Sequence, residues 1–251
     1  MNSKEKFSNK VSDYMKYRPT YPKEFINYLI NELGFSKNTV IADVGAGTGM
    51  LTYLLADKVK QIYAIEPNYN MRSACKDYCE EFNNFTAIDG SAEETGLLNH
   101  SVDFIVVAQA FHWFDRGKSK MEFYRILKPN GKVILAWNSR VAENTFIKEN
   151  DKLCRRVCPE FEGFSGGIGN GPELFSDFFK NGFCESKVFE NDRLLSLEEY
   201  IGGSLSASYA PAEGDENYQE FIDGLKELFE KYSRDGIVLL PNKTRSYVGE
   251  I

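Results

Sequence analysis

The chain has 251 residues, 42% of them hydrophobic, which is enough for a sizeable core and favours one domain over two. Its formal net charge of −7 disfavours a nucleic-acid surface, which calls for basic patches, and only a small cluster of Lys152, Arg155 and Arg156 runs against that balance. No apolar run of about 18 residues predicts a membrane span, and the opening MNSKEKFSNK lacks the apolar region of a secretory signal, so a soluble cytoplasmic protein is expected.

Residues 1–21 are polar with interleaved aromatics, Phe7, Tyr14, Tyr17 and Tyr21. Pro22 suits the first turn of a helix whose apolar face is Phe25, Ile26, Leu29, Ile30 and Leu33 and which Gly34 ends. Val40, Ile41, Ala42 and Val44 suit a buried parallel strand, with Asp43 as the polar exception. Gly45, Gly47 and Gly49 follow at alternate positions, where a missing Cβ lets the chain turn sharply and lets a ligand approach. Leu51, Leu54 and Leu55 come at helical spacing, and a second apolar run, Gln61 to Ile65, ends in Glu66. Strand, glycine-rich loop, helix, strand and acid make a nucleoside-binding βαβ unit. A dinucleotide fingerprint would place its third glycine at position 50, which is Met50 here. Asp43, two residues before the first glycine, suits a cationic ligand better than a phosphate. The plain alternative is a strand-to-helix turn with glycines there for packing.

A helix is expected from near Asn68, then a strand over Asn84–Ile88, followed by Asp89, Gly90, Ser91, Ala92 and Glu93. Val102–Val107 is a further buried strand. Ala108–Asp115 (AQAFHWFD) lies at its carboxyl end, where open α/β sheets bind their ligands. His112 and Trp113 fall there; the other histidine, His100, belongs to a polar loop. A helix over about Gly117–Leu127 carries Met121, Tyr124 and Leu127 on one face, Lys128–Gly131 is a turn, and Lys132–Trp137 is the next strand. A helix over Glu143–Val157 leads to Phe161–Gly171, whose five glycines suit either an active-site lid or a surface connection. Then come a short helix over Pro172–Lys180, a strand over Cys184–Glu190, helices near Leu197–Ser208 and Tyr218–Ser233, and a closing strand over Lys243–Ile251. The five cysteines include two C-x-x-x-C pairs, Cys75 with Cys79 and Cys154 with Cys158. That spacing is not the usual zinc knuckle, so reduced helix thiols and no metal are expected.

The pattern D-x-G-x-G-x-G over Asp43–Gly49 resembles motif I of class I S-adenosylmethionine-dependent methyltransferases. Tyr14–Pro22 resembles the Y-x-x-x-R-P-x-Y-P stretch before motif I in a small-molecule subgroup. Ala108–Asp115 and Glu122–Trp137 are similar to the matching stretches of trans-aconitate and related methyltransferases. The resemblance implies a Rossmann-like α/β fold with a seven-stranded, mostly parallel sheet of order 3-2-1-4-5-7-6, helices on both faces, an antiparallel last strand and a helical cap. It implies S-adenosylmethionine as cofactor, with Asp43 near the methionyl amino group, Gly45, Ala46, Gly47 and Gly49 as the loop, and Glu66 on the ribose hydroxyls. Pro67, Met71, Gly90, Ser91, Ala92 and Gln109 complete the implied cofactor set, Met71 near the adenine. The family acid that accepts from the adenine amino group is replaced here by Ser91, so the Ser91 hydroxyl or the backbone of Ala92 and Glu93 takes its place. Tyr14, Tyr17, Arg18, His112 and Trp113 are the implied lid and substrate residues.

The expected arrangement is one methyltransferase domain, with a cap over 1–38, the cofactor-binding core over 39–140, a helical and glycine-rich insertion over 141–183, and C-terminal strands and helices over 184–251. Methyl transfer is an in-line displacement of a good neutral leaving group, so it calls mainly for positioning and desolvation. Aromatic faces such as Tyr14, Tyr17, Phe111 and Trp113 suit a sulfonium charge. The acceptor is expected to be a small molecule, with a carboxylate suggested by the resemblance. A carboxylate needs no base; a phenol or amine would, and His112 is the candidate for that work, as well as for orienting a substrate or simply packing. Neither nucleic acid nor membrane is expected as a partner. The alternatives are a non-catalytic S-adenosylmethionine-binding protein, a nicotinamide-dependent dehydrogenase, and a methyltransferase acting on an oxygen or nitrogen of a larger substrate.

Overall fold

The computed structural model describes residues 16–164, 169 and 171–251; Tyr14 and part of the glycine-rich 161–171 segment lie outside them. In chain order the elements are α1 (Lys23–Asn31), β1 (Val40–Val44), α2 (Met50–Ala56), β2 (Gln61–Ile65), α3 (Tyr69–Tyr78), β3 (Phe85–Ile88), β4 (Val102–Ala108), α4 (Arg116–Ile126), β5 (Leu127–Arg140), α5 (Thr145–Val157), β6 (Glu185–Glu190), β7 (Arg193–Leu195), α6 (Leu197–Leu205), α7 (Tyr218–Tyr232), β8 (Val238–Leu240) and β9 (Asn242–Gly249).

Seven strands form one sheet of order β3-β2-β1-β4-β5-β9-β6, which is the expected order with β9 in the place of the seventh strand. β1, β2, β3, β4 and β5 run parallel, whereas β9 is antiparallel to both β5 and β6. Alternate residues of β1 serve opposite faces, as a strand requires. Ile41 packs with Phe25, Leu29, Leu51 and Leu55 on one side, and Ala42 packs with Phe123, Ile126 and Phe178 on the other. A strand apolar on both faces therefore comes from a sheet covered on both faces. The carboxyl ends of β1, β4 and β5 consequently open on one edge, off which the site is built.

A second core lies beside the sheet. It joins Phe146, Ile147 and Leu153 of α5, Tyr200 of α6, and Phe221, Leu225 and Phe229 of α7 with Leu195, Val238 and Leu240 from a short two-stranded antiparallel sheet of β7 and β8. That small sheet is absent from the sequence expectations: three-residue strands leave too little periodicity to read. The expected turn over Lys128–Gly131 is present as an irregularity within β5. Between Val102 and Phe104 of β4, the partner residue on β5 moves from Leu127 to Lys132, and Asn130 takes a left-handed φ of 67°. On α4 the buried face is Ser119, Glu122, Phe123 and Ile126, while Met121 and Tyr124 are exposed, so the shared face of Met121 and Tyr124 is the outer one. Instead of a helix over Pro172–Lys180, the stretch has a 3-10 turn over Pro172–Phe175 and a second that begins at Lys180, over Lys180–Gly182. No helix among the described residues is long and apolar enough to cross a membrane.

Candidate functional site

The glycine loop is shaped by its neighbours before any ligand is considered. The N–H groups of Gly45 and Ala46 both donate to the Ile65 carbonyl, at 2.9 and 3.1 Å, which ties the loop to the end of β2. A Cβ at Gly45 would lie 2.5 Å from the Ala110 Cβ, because the turn after β4 presses on it. Gly49 has φ +82° and caps α2; a Cβ there would lie 2.7 Å from the Cys75 Sγ and 3.2 Å from the Cys79 Sγ. Both thiols are buried beneath the loop, so Gly49 is demanded by helix packing. Gly47 differs: it has φ +57°, and a Cβ there would meet nothing within 4 Å. Its free side faces open space, which is what a loop cradling a ligand needs.

Asp43 is 1% exposed. Its Oδ2 accepts from the Thr52 hydroxyl at 2.7 Å, while Oδ1 has no hydrogen-bond partner. Burial pushes its pKa up to about 6; the Thr52 hydrogen bond opposes this and the nearby Glu66 carboxylate adds to it. An ionised, half-satisfied carboxylate in a buried position is costly unless a cation or donor completes it. Glu66 closes the loop from β2: Oε2 accepts from the Gly47 N–H at 3.0 Å and Oε1 from the Asn68 N–H at 2.8 Å. Asn68 in turn caps α3 by accepting from the Met71 N–H at 3.0 Å.

A cavity of about 580 Å³ opens from this loop. Of the expected cofactor residues, Asp43, Gly45, Ala46, Gly47 and Gln109 line it. Gly49, Glu66, Pro67, Met71, Gly90, Ser91 and Ala92 lie behind or beside its lining. Met71 and Ala92 are buried, and Gly90 packs tightly on the Glu94 and Thr95 carbonyls. The Ser91 hydroxyl oxygen accepts from the Glu93 and Glu94 N–H groups, both at 3.2 Å, and so caps its own turn. Gln109 holds a left-handed φ of 60° at the end of β4, a strained setting of the kind found at functional sites.

Of the expected lid and substrate residues, Tyr17, Arg18, His112 and Trp113 line the cavity, and Tyr14 lies outside the described residues. His112 and Trp113 sit on a 3-10 turn, Phe111–Trp113, with their ring centroids 4.7 Å apart. Burial lowers the His112 pKa to about 4, and its Nδ1 has no partner, so the ring is neutral near pH 7. His100, by contrast, is exposed and tied through Nδ1 to the Leu127 carbonyl at 2.8 Å. Tyr17 packs on α6: a Cβ at Gly202 would lie 2.5 Å from its ring, and its hydroxyl donates to Glu198 at 3.0 Å. Arg18 donates to the Ser206 carbonyl at 3.1 Å. Asn138, at the end of β5, donates to the Pro19 and Thr20 carbonyls at 3.1 and 3.3 Å. The arm is thus stapled between the sheet edge and α6, across the cavity.

The cavity is also lined by residues that sequence reasoning missed: Arg140, Phe164, Arg193, Tyr200 and Tyr209. Arg140 lies over the Phe164 ring, 4.0 Å from its centroid, and donates to the Asn150 Oδ1 at 2.9 Å. Burial lowers the Arg193 pKa from its ordinary guanidinium value, and the Arg140 and Arg18 charges add to that shift while Glu199 opposes it. Arginine stays charged through shifts of that kind. Among the described residues neither Arg140 nor Arg193 has a carboxylate within ion-pairing distance. Arg140 had a positional signal, since it ends a parallel strand on the binding edge of the sheet. Arg193 had none, because it reaches the cavity from the short β7–β8 sheet, whose strands lie far apart in sequence.

Comparison with known proteins follows the same lines. Residues 42–135 match the family model described as a methyltransferase domain. An uncharacterized methyltransferase-like protein of Schizosaccharomyces pombe is 30% identical, over 97% of this chain and 94% of its own length. A second S. pombe protein, an uncharacterized methyltransferase, is 32% identical over 86% and 85%. Among solved structures, a candidate type II methyltransferase of Anaeromyxobacter dehalogenans superposes with a TM-score of 0.69 at 20% identity, covering 93% of this chain and 98% of that one. An S-adenosylmethionine-dependent methyltransferase of Geobacter sulfurreducens, bound to S-adenosyl-L-homocysteine, gives 0.54 at 19% identity, covering 96% of each.

Proposed function

We propose that this chain, which belongs to the class I S-adenosylmethionine-dependent methyltransferases, transfers its methyl group to a small anionic acceptor, with a carboxylate oxygen as the nucleophile. The single observation that carries the acceptor is the pair Arg140 and Arg193, two guanidiniums lining the cavity with no carboxylate in ion-pairing distance among the described residues, although Glu160 and Glu162 line the same cavity. A guanidinium pair without a directly bonded counter-charge is stabilised by an incoming anion.

The residues present fit the cofactor. Asp43 offers an unpartnered, buried carboxylate oxygen to the methionyl amino group, and the open side of Gly47 leaves room for the ligand. Glu66, at the end of β2, stands where ribose hydroxyls would be bound while it holds the loop. Bound there, S-adenosylmethionine would supply an electrophilic sulfonium methyl carbon and a good, neutral thioether leaving group. The chain's own contribution is to bind, orient and dry the two partners. Tyr17 and the arm roof the cavity against α6, and this enclosure favours a small acceptor over a macromolecule. His112, neutral and lining the cavity, donates or accepts a hydrogen bond at the acceptor rather than removing a proton. A carboxylate, already a nucleophile, needs no base.

The test is methyl transfer from labelled S-adenosylmethionine to a panel of small carboxylic acids and their amides. Base-labile label released as methanol, with acids only, is the expected result. Label transferred to amides or amines and absent from acids overturns the acceptor assignment.

A further inference from the structure

Arg140 is held by a buried polar chain set into the second core, whose members Cys154 and Tyr200 it includes. Asn150, on α5, is 1% exposed. Its Oδ1 accepts from Arg140 Nη1 at 2.9 Å and from the Cys154 thiol at 3.5 Å. Its Nδ2 donates to the hydroxyl of Tyr200, a residue of α6 that is also 1% exposed. A guanidinium has only donors, so the amide oxygen must face Arg140 and the amide nitrogen must face the Tyr200 oxygen. The orientation of Asn150 is therefore fixed by Arg140, and the Tyr200 hydroxyl, which can donate or accept, accepts from it. One guanidinium face is covered by Phe164, 4.0 Å away. Arg140 lines the cavity with one donor committed, one face covered and, among the described residues, no carboxylate in ion-pairing distance.

Position 150 is the place where a carboxylate would most easily have cancelled that charge. Aspartate has the shape of asparagine, and the three groups around Asn150 could all donate to it: the guanidinium, the Cys154 thiol and the Tyr200 hydroxyl. We propose that Asn150 is a positioning residue that determines specificity: locked by Tyr200, it orients Arg140 while staying neutral, so that the Arg140 charge is reserved for the anionic group of the acceptor. This inference rests on the anionic-acceptor reading above.

Two variants test it, Asn150→Asp and Asn150→Ala, with calorimetric titration of the S-adenosylhomocysteine-loaded protein by succinate, malonate and benzoate as anionic probes. Methyl-transfer kinetics with an active acid provides a second readout. Asn150→Asp keeps every hydrogen bond and pairs Arg140 internally, so acid binding weakens about tenfold or more. The KM for the acid rises in parallel, kcat stays within about threefold, and S-adenosylhomocysteine affinity is unchanged. Asn150→Ala frees the guanidinium without neutralising it and weakens acid binding less than Asn150→Asp does. Acid binding that survives unchanged in Asn150→Asp overturns the assignment of Asn150 alone. Equal losses of acid binding, kcat and S-adenosylhomocysteine affinity in both variants also overturn it, by making the residue a structural one. Failure of all three acids to bind the wild-type protein overturns the anionic-acceptor reading and the inference with it.

Discussion

Glu66 Oε2 accepts the Gly47 N–H at 3.0 Å, so the acid that ends β2 holds in place the one glycine of the loop whose free side is open. On the proposed reading the same carboxylate also binds the ribose hydroxyls. Glu66→Gln keeps the size but replaces one acceptor oxygen with a donor, which opposes either Gly47 or Asn68. Cofactor affinity should fall by about 1–3 kcal/mol, the range for a lost charge-assisted hydrogen bond. Calorimetry with S-adenosylhomocysteine on the folded variant measures this, and unchanged affinity removes Glu66 from the site.

Asp43 should give cofactor binding and stability opposite responses to pH. Its carboxyl titrates near 6 in the fold, against an ordinary value of 3.8. Between those values the native state holds a proton that the unfolded chain has released. The stability of the ligand-free protein therefore falls as pH rises from about 4 to about 6, by roughly 3 kcal/mol, and then levels off. A cationic ligand group prefers the ionised form, so S-adenosylhomocysteine affinity rises over the same window and flattens above it. Denaturant titrations and calorimetry at pH 5, 6, 7 and 8 give both curves, and both slopes should vanish in Asp43→Asn.

Gly49→Ala should destabilise the protein by about 1–3 kcal/mol, since the new Cβ meets the Cys75 Sγ at 2.7 Å in a left-handed backbone setting. Adding Cys75→Ala should recover the steric part and leave the backbone part. Urea unfolding of the two single variants and the double variant separates them; strict additivity would show that the contact does not carry the cost.

His112 should leave no mark on the pH dependence of turnover near neutrality. Burial holds its pKa at about 4, well below the ordinary 6.5, so it is neutral throughout the range from pH 6 to 8. With cofactor and acceptor saturating, kcat should be flat there in wild type and in His112→Gln alike. An inflection near pH 7 that disappears in His112→Gln would assign the base role to this ring.

The glycine loop was legible because its signals are local, whereas the sheet order came from the resemblance to the family. Asp43, Gly45 and Gly47 encode their strand-to-turn geometry within a few residues, and Glu66 lies one helix away. Gly49 was legible as a glycine, but its reason was not, since Cys75 and Cys79 reach it from another helix. The acceptor half was least legible. Arg140, Asn150, Arg193 and Tyr200 come from a strand end, a helix, a short two-stranded sheet and a further helix, and the second core brings them together. Met121 and Tyr124 share a helix face as their spacing says, but spacing does not tell which face is buried; Phe123 and Ile126 occupy the inner one.

Calorimetric titration of the wild-type protein and Asp43→Asn with S-adenosylmethionine, with NAD as a control, addresses the cradle itself. Micromolar binding of S-adenosylmethionine by the wild type is the expected result, weakened about tenfold or more when the buried carboxylate loses its charge, with no heat from NAD. Binding of NAD, or S-adenosylmethionine affinity indifferent to Asp43→Asn, would contradict the reading of Asp43 and Gly47 as a site for a cationic donor.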